Sequence, residues 1–448
     1  MNTAASGGEA TYRVADDQGD ARAAYDLGTL LEQRDDLTEA EAAYRRADER
    51  GDVDGAFSLG YLLQQKGDIE GAEAAYRRAD ERGHAQGAMN FGVLLKLKGN
   101  IEGAEAAYRR ADERGHAGAA FNLGILLEQK GDIEGAEAAY RRADERGPTG
   151  AASNLGILLQ QKGDLEGAEA AYRRADERGD VDGAFSLGYL LQQKGDIEGA
   201  EAAYRRADER GHAGGAFSLG YLLYPKGDLE GAEAAYRRAD ERGHASGAFN
   251  LGVLLIQKGE TDGAEAAYRR ADERGHAGGT FNLGNLLKLK GDIEGAAAAY
   301  RRADGRGDVG GAFNLGILLQ RRGDTEGAEI AYRRADERGH AGAAFNLGIL
   351  LKQKGDIDGA EAAYRHADER GHAGAAFNLG ILLEQKGDIE GAEAAYRHAD
   401  ERGDVGAGLN LGTLLKQNGD LEGAEAAYRR GDERGDIKAT VALGICCM

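Results

Sequence analysis

The 448-residue chain has no tryptophan, 2 cysteines and 2 prolines, and only 6% of it is aromatic. Each shortage removes a class of protein. Cys446 and Cys447 stand side by side, which excludes a disulfide framework and a cysteine zinc site. No stretch approaches the ~18 apolar positions of a membrane span. Residues 1–10 lack the basic-then-apolar order of a leader, so a cytoplasmic protein is expected. Positive charge is short as well. A formal net charge of −21 argues against a surface for nucleic acid or anionic membrane, because such binding rests on Lys and Arg. The charges are interspersed rather than blocked, which reads as a solvated surface. Arginine outnumbers lysine and, with abundant Ala and Gly, points by association to a GC-rich, bacterial coding genome.

What abounds is repetition. A 32-residue unit recurs without insertion or deletion, marked by Tyr12, Tyr44, Tyr76, Tyr108 and every 32 residues onward to Tyr428, and the glycines fall at fixed places within it. Such a period signals a stacked array in which each unit touches its neighbours. That implies one elongated body with an extended binding surface, rather than a single catalytic cleft.

Residues 115–146 serve as the specimen: GHAGAAFNLGILLEQK, then GDIEGAEAAYRRADER. Each half opens on Gly and a short polar residue. Gly131 suits the left-handed conformation that ends one helix, and Asp132 can accept from the free N–H groups that begin the next. Two helices of about 14 residues per unit follow. In the second, Ile133, Ala136, Tyr140 and Ala143 form one apolar stripe. Glu134, Glu137, Arg141, Arg142 and Glu145 cover the opposite side with favourable four-residue spacings, so this helix is expected outside, facing water. The first helix is apolar over more of its circumference, with Ala120, Leu123, Gly124 and Leu127 flanked by Phe121 and Leu126. It is expected inside, packed on several neighbours.

The stretch LGILLEQKGDIEGAEAAYRRA resembles a tetratricopeptide repeat in its Leu123–Gly124 pair, Leu127, Gly131, and the series Ala136, Tyr140, Ala143. The link ADERGHAGAAFNLG is similar to that of Sel-one-like repeats. The resemblance runs over about residues 12–444 and implies an all-α superhelix, a solenoid of antiparallel helix pairs whose inner groove holds peptide segments. Two departures, Ala120 with Phe121 where a large aromatic precedes Leu-Gly, and a unit two residues short without its proline, bear on pitch rather than architecture. The expected organisation is a disordered segment at residues 1–8, a degenerate capping helix at 9–20, thirteen repeats over 21–435, and a lone inner-type helix over 436–448. That last helix lacks a partner, so the expectation is either a truncated reading frame or an end that associates with itself or with another protein. Pro225, near the end of an inner helix, is expected to kink or stop it.

The copies differ in an informative way. The outer-helix segment AEAAYRRADERG is intact in eight of thirteen copies, whereas two inner-helix positions change freely. One carries Tyr61, Ile125, Tyr189 and Tyr221, and the other Gln192 and Tyr224. A helical projection places Ile125 away from Leu123 and Leu127, on a concave wall. That wall also carries a ladder of Asn122, Asn154, Asn250, Asn282, Asn314, Asn346 and Asn378, interrupted by Ser186 and Ser218. An extended peptide could bond its amides to successive rungs, ~8–10 Å apart. The alternative is that the asparagines satisfy local groups and the aromatics serve packing. Tyr189 and Tyr221 are the best anchors, because Tyr offers large contact area at modest entropy cost. The resemblance also brings to mind basic clamps for terminal carboxylates, but Phe121, Asn122 and Ile125 supply none.

Some features look chemical. His84, His116, His212, His244, His276, His340 and His372 interchange with Asp52, Asp180, Asp308, Asp404, Asp436 and Pro148 at one junction, which fits a helix-start role rather than a metal site. His366 and His398 replace an outer-helix arginine and are expected on the outer wall. No nucleophile elbow, phosphate loop or metalloprotease helix occurs. The expectation is therefore a scaffold that binds a peptide or partner protein, without cofactor, metal or catalysis. The alternative is a structural or self-associating array in which near-identical units create length rather than recognition.

Overall fold

The computed structural model describes residues 3–147 and 150–446. Among them are 28 α-helices, one 3-10 turn and no strand, alternating as inner and outer members of antiparallel pairs. The chain divides into two compact units, Met1–Leu222 and Leu223–Met448, where the unbroken period predicted one body. In each unit consecutive helix pairs pack in a superhelical repeat, as Val181–Gln193 and Ile197–Glu209 do in the first and Ala245–Gln257 and Thr261–Glu273 in the second.

Punctuation follows the sequence. Inner helix Ala117–Lys130 ends on Gly131 at φ 80, and the Gly135 N–H donates to Asp132 Oδ1 at 3.0 Å to open the outer helix Ile133–Arg146. A side chain at φ 80 would be strained, which is why glycine closes this turn. Helix Ala213–Leu223 stops short and a 3-10 turn, Tyr224–Lys226, carries Pro225. The equivalent helix Val181–Gln193 runs 13 residues against 11, the early stop that proline predicts.

The core of each pair is a ring laid on a backbone. Tyr140 is fully buried, and a Cβ on Gly124 would stand 2.5 Å from its ring carbons. The same contact recurs from Gly28 with Tyr44 to Gly412 with Tyr428. Full burial of a large apolar side chain contributes roughly 1.5–3 kcal/mol, and here the missing Cβ is what admits the ring. Ala120, Ala143 and Ala151 close the next layer, with Phe121 packed on them.

Between pairs the outer helices are joined by buried carboxylates. Asp48 is 2% exposed and accepts from Arg78 at 2.5 Å and Arg82 at 2.7 Å, both from the following outer helix. Asp112 with Arg142 and Arg146 repeats the arrangement, which corrects the reading of Arg142 as a solvated surface residue. Arg141, by contrast, pairs with Glu137 at 2.8 Å on the outer surface as expected. His366 and His398 lie exposed on the outer wall as expected, and there they stand 3.0 and 3.1 Å from the buried Asp336 and Asp368 of these joints.

The first helix, Thr3–Asp17, includes residues 3–8, for which disorder was expected. Its outer-type segment is held by Asp16, which accepts from Arg46 and Arg50, and by the pairing of Glu9 with Arg34. A helix anchored in this way extends towards its N-terminus at little entropic cost. The last described helix, Ile437–Cys446, exposes Ile437, Val441 and Ile445. Pro148 and Cys447 lie outside the described residues.

These contacts give glycine two opposite meanings. Gly316→Ala would drive a methyl to 2.5 Å from the Tyr332 ring and is expected to destabilise by about 1–3 kcal/mol. Gly305→Ala, at a helical position with nothing within 4 Å, is expected to stabilise by up to about 1 kcal/mol. Thermal unfolding of the two variants should shift in opposite directions, and shifts of the same sign would refute the ring-on-glycine contact as the packing determinant.

Candidate functional site

Within each unit the inner helices turn a glycine towards the tyrosine of their own outer helix, as Gly60 does to Tyr76 and Gly252 to Tyr268, which leaves the opposite strip for other uses. In the first unit that strip carries the free-changing position as Thr29, Tyr61, Val93, Ile125, Ile157, Tyr189 and Tyr221. Tyr61, Tyr189 and Tyr221 are 47%, 50% and 58% exposed, and Ile157 is also exposed, while Ile125 is half-buried. Tyr61 with Gln64, Gln65, Met89, Asn90 and Val93 lines a surface pocket of about 390 Å³ between consecutive inner helices. In the second unit, Tyr224 exchanges hydrogen bonds between its hydroxyl and Gln257 at 2.7–3.0 Å.

The amide ladder is largely committed elsewhere. Each buried Tyr runs across its pair so that its hydroxyl emerges beside the inner strip, where it needs partners. Asn346 donates to the Tyr332 hydroxyl at 3.5 Å, and Asn282 to that of Tyr268 at 3.4 Å. Asn154 and Asn378 hydrogen-bond Tyr140 and Tyr364, and Ser218 takes the same place beside Tyr204. Asn314 bonds both Tyr300 and, at 3.2 Å, Asn285. Asn122, Ser186 and Asn250 are half-buried on the same row.

The second variable position turns towards the same hydroxyls. Tyr204 donates to Gln192 Oε1 at 2.9 Å, and Tyr140 to Glu128 at 2.8 Å. Burial raises the Tyr172 and Tyr204 hydroxyls to about 12, Ser218 partly opposing the rise at Tyr204, so these groups remain protonated donors. Within each unit the candidates thus lie on the inner helices but divide their work. The tyrosines of the first row are open, while many of the amides hold the hydroxyls of neighbouring units.

The outer face has pockets of another kind. One of about 370 Å³ is lined by Arg109, Asp112, Arg142 and Arg146, of which Asp112, Arg142 and Arg146 form a joint between consecutive pairs and Arg109 pairs with Glu105 of its own helix. The joint carboxylates were missed from the sequence, although a signal existed. Asp144 follows Tyr140 by four residues and Ala136 by eight, which places it on the buried stripe and not on the polar side. Among the described residues no group of three or more metal-ligating side chains occurs, and no helix is long and apolar enough to cross a membrane.

The histidine row sits at helix starts as expected. The N–H of Ala119 donates to His116 Nδ1 at 3.0 Å and that of Gly87 to His84 Nδ1 at 2.9 Å, with Asp52 filling the same role for Gly55. The His84 ring stacks on Phe57 of the preceding pair at 4.5 Å.

A tetratricopeptide repeat model matches residues 9–55, 91–151, 153–216, 185–246, 217–279, 249–310, 313–372 and 345–407, and two further models of the same description match 53–82 and 405–430. The chain belongs to the tetratricopeptide repeat family, whose members generally build non-catalytic scaffolds for protein interaction. No curated protein matches. Among solved structures, a Sel1 repeat protein from Oxalobacter formigenes is 23% identical over 61% of this chain and 88% of its own, with a TM-score of 0.49. Yeast Tom70 is 14% identical over 95% of both chains, with a TM-score of 0.32. YrrB, a tetratricopeptide protein with an unusual peptide-binding site, is 25% identical over 38% of this chain and 92% of its own, with a TM-score of 0.31.

The helix-start histidines carry a pH dependence. Burial lowers the imidazoles of His84, His116, His276 and His340 below their ordinary value, and their Nδ1 atoms must stay unprotonated to accept. The unfolded chain takes up protons near pH 6.5 while the folded chain still refuses them. Their contribution is therefore intact above about pH 6.5 and is lost as pH falls through that value towards the lower folded one. The urea midpoint is expected to drop between about pH 7.5 and 5.5, and to drop less in a His116→Asp, His340→Asp variant. A midpoint that does not move over this range would refute the role.

Proposed function

We propose that the protein is a non-catalytic scaffold that binds a peptide segment or partner protein along the strip of its inner helices. The observation that carries this is the exposure of Tyr61, Tyr189 and Tyr221 at one helix position, where packing leaves the rings in solvent. Large rigid aromatics held open on helices supply contact area at small entropic cost, which is how binding surfaces are anchored. The reading places the protein in the cytoplasm and assigns it no nucleic-acid or membrane partner, supported by its net charge of −21.

Replacing Tyr189 or Tyr221 with a photocrosslinking amino acid in native extract identifies the partner. Tyr189→Ala with Tyr221→Ala is then expected to weaken that partner about 10–100-fold with helical content unchanged. Unaltered affinity would refute the strip as the binding surface.

A second reading has its own observation. Ile437, Val441 and Ile445 lie at four-residue spacings on one face of the helix Ile437–Cys446 and are 78%, 58% and 61% exposed. Such a face favours self-association. Sedimentation should then show mass rising with concentration and falling back in a Val441→Glu variant, and a constant monomer at about 100 μM would remove this reading.

A further inference from the structure

The inner strip of the first unit has a period, and that period narrows the conformation of its occupant. Consecutive inner helices touch, as Val181–Gln193 does with Ala151–Gln161, where Gln160 Nε2 donates to Gln193 Oε1 at 3.5 Å. Helices in such contact lie ~8–10 Å apart, so the strip offers one apolar rung per unit at that interval. A β-strand returns a side chain to one face every ~6.6–6.8 Å and falls out of step after a single rung. An α-helical ligand returns one every three or four residues, only ~5–6 Å along its axis, giving nearly two anchors per rung. A polyproline II segment has three residues per turn at ~3.1 Å each, so every third residue faces the same side at ~9.3 Å. Only this last period fits the wall.

Surface chemistry agrees with the spacing. The rungs Tyr61, Ile157, Tyr189 and Tyr221 are exposed aromatic and aliphatic side chains. Residues 51–82 and 179–210 are identical in sequence, so the arrangement around Tyr61 recurs around Tyr189 four units later. In both copies a carboxylate stands two helical turns before the tyrosine. Asp182 is 84% exposed with His212 Nε2 at 3.5 Å, and Asp54 is 44% exposed, paired to Arg22 at 2.5 Å with His84 at 3.6 Å. An aromatic wall with acidic flanks on a chain of net charge −21 suits an uncharged or basic ligand and repels an acidic one.

Resting on the groove reading above, we propose that this strip binds a proline-rich segment in the polyproline II conformation, with an apolar side chain at every third position and basic residues at its ends. Rings of the tyrosine rungs would take the apolar residues, and Asp54 and Asp182 would meet the basic ends. Such a ligand is already extended, so little conformational entropy is lost on docking.

The test uses the full chain and three labelled peptides in fluorescence anisotropy. The first is (Leu-Pro-Pro)₄ flanked by lysines, the second has the same composition with leucine at every second position, and the third is the first with glutamates in place of the lysines. The first is expected to bind at least about tenfold more tightly than either of the others, and to lose about tenfold or more with Tyr189→Ala and Tyr221→Ala while circular dichroism stays unchanged. Equal binding of the first and second peptides, no binding of the first at about 1 mM, or insensitivity to the tyrosine variant would overturn the proposal. If any of these occurs while the crosslinked partner remains sensitive to the same variant, the groove stands and only the ligand conformation is wrong. If the partner is insensitive too, both readings fall.

Discussion

The contact of a tyrosine ring with a glycine backbone governs this molecule. With no Cβ on Gly124, the inner helix approaches until the Tyr140 ring lies flat on it, and the same closeness recurs from Gly28 to Gly412. Two consequences follow from that single approach. Each pair obtains a core from alanines, the buried leucines of its inner helix (Leu123, Leu126 and Leu127 in the pair of Tyr140) and one aromatic, which suffices in a short unit only because units stack. The phenol also spans the pair, so its hydroxyl arrives beside the inner strip and must be satisfied there. The row of asparagines and the row of Gln and Glu residues answer that need, and the strip available to a ligand is what remains once they have done so.

Stacking needs a second interaction, because alanine layers alone do not fix how far one pair is shifted against the next. The buried aspartates supply it. Asp48 with Arg78 and Arg82 ties two outer helices at a defined register, and unpairing it would leave a carboxylate 2% exposed without a counter-charge. Burial by itself raises the pKa of Asp16 and Asp272, yet the hydrogen bonds from their two arginines outweigh it and hold both below the ordinary carboxylate value. These carboxylates are therefore stabilising above about pH 4, and the stabilisation is lost as pH falls through their lowered folded values. In this array burial of a charge is tolerated because the partners come as a pair from a neighbouring unit, which makes the joint an indicator of correct stacking.

Most of the fold was legible in the sequence, and the reasons are local. Gly131 and Asp132 announce a turn whose geometry depends on two residues, and His116, Asp52 and their equivalents announce helix starts by hydrogen-bonding chemistry that any one unit contains. Pro225 announced the shortened helix in the same way. What was not legible depends on the neighbouring copy. Asn346 looks like a ligand rung until Tyr332 of the preceding pair is seen beneath it, and Arg142 looks solvated until Asp112 is seen opposite. Residues 3–8 looked disordered because their order comes from a helix anchored further along by Asp16. The division at residues 222 and 223 has no signature in the period, which passes through it unchanged.

Near-identity of the units has a cost for recognition, since an occupant could slide by one unit and find the same partners. The rows that hold the fold cannot relieve this, because the glycine, tyrosine, aspartate and arginine positions are fixed by packing. The row carrying Tyr61, Val93, Ile125, Ile157, Tyr189 and Tyr221 escapes that constraint, and it is one of the two inner-helix rows in which the copies diverge. A change from Ile157 to Tyr189 alters the exposed surface without touching the ring, the joint or the helix start. Register along the strip must then come from this row, with Asp54 and Asp182 as its charged marks. The variation is concentrated where packing demands least, and that is also where a bound segment would meet the wall.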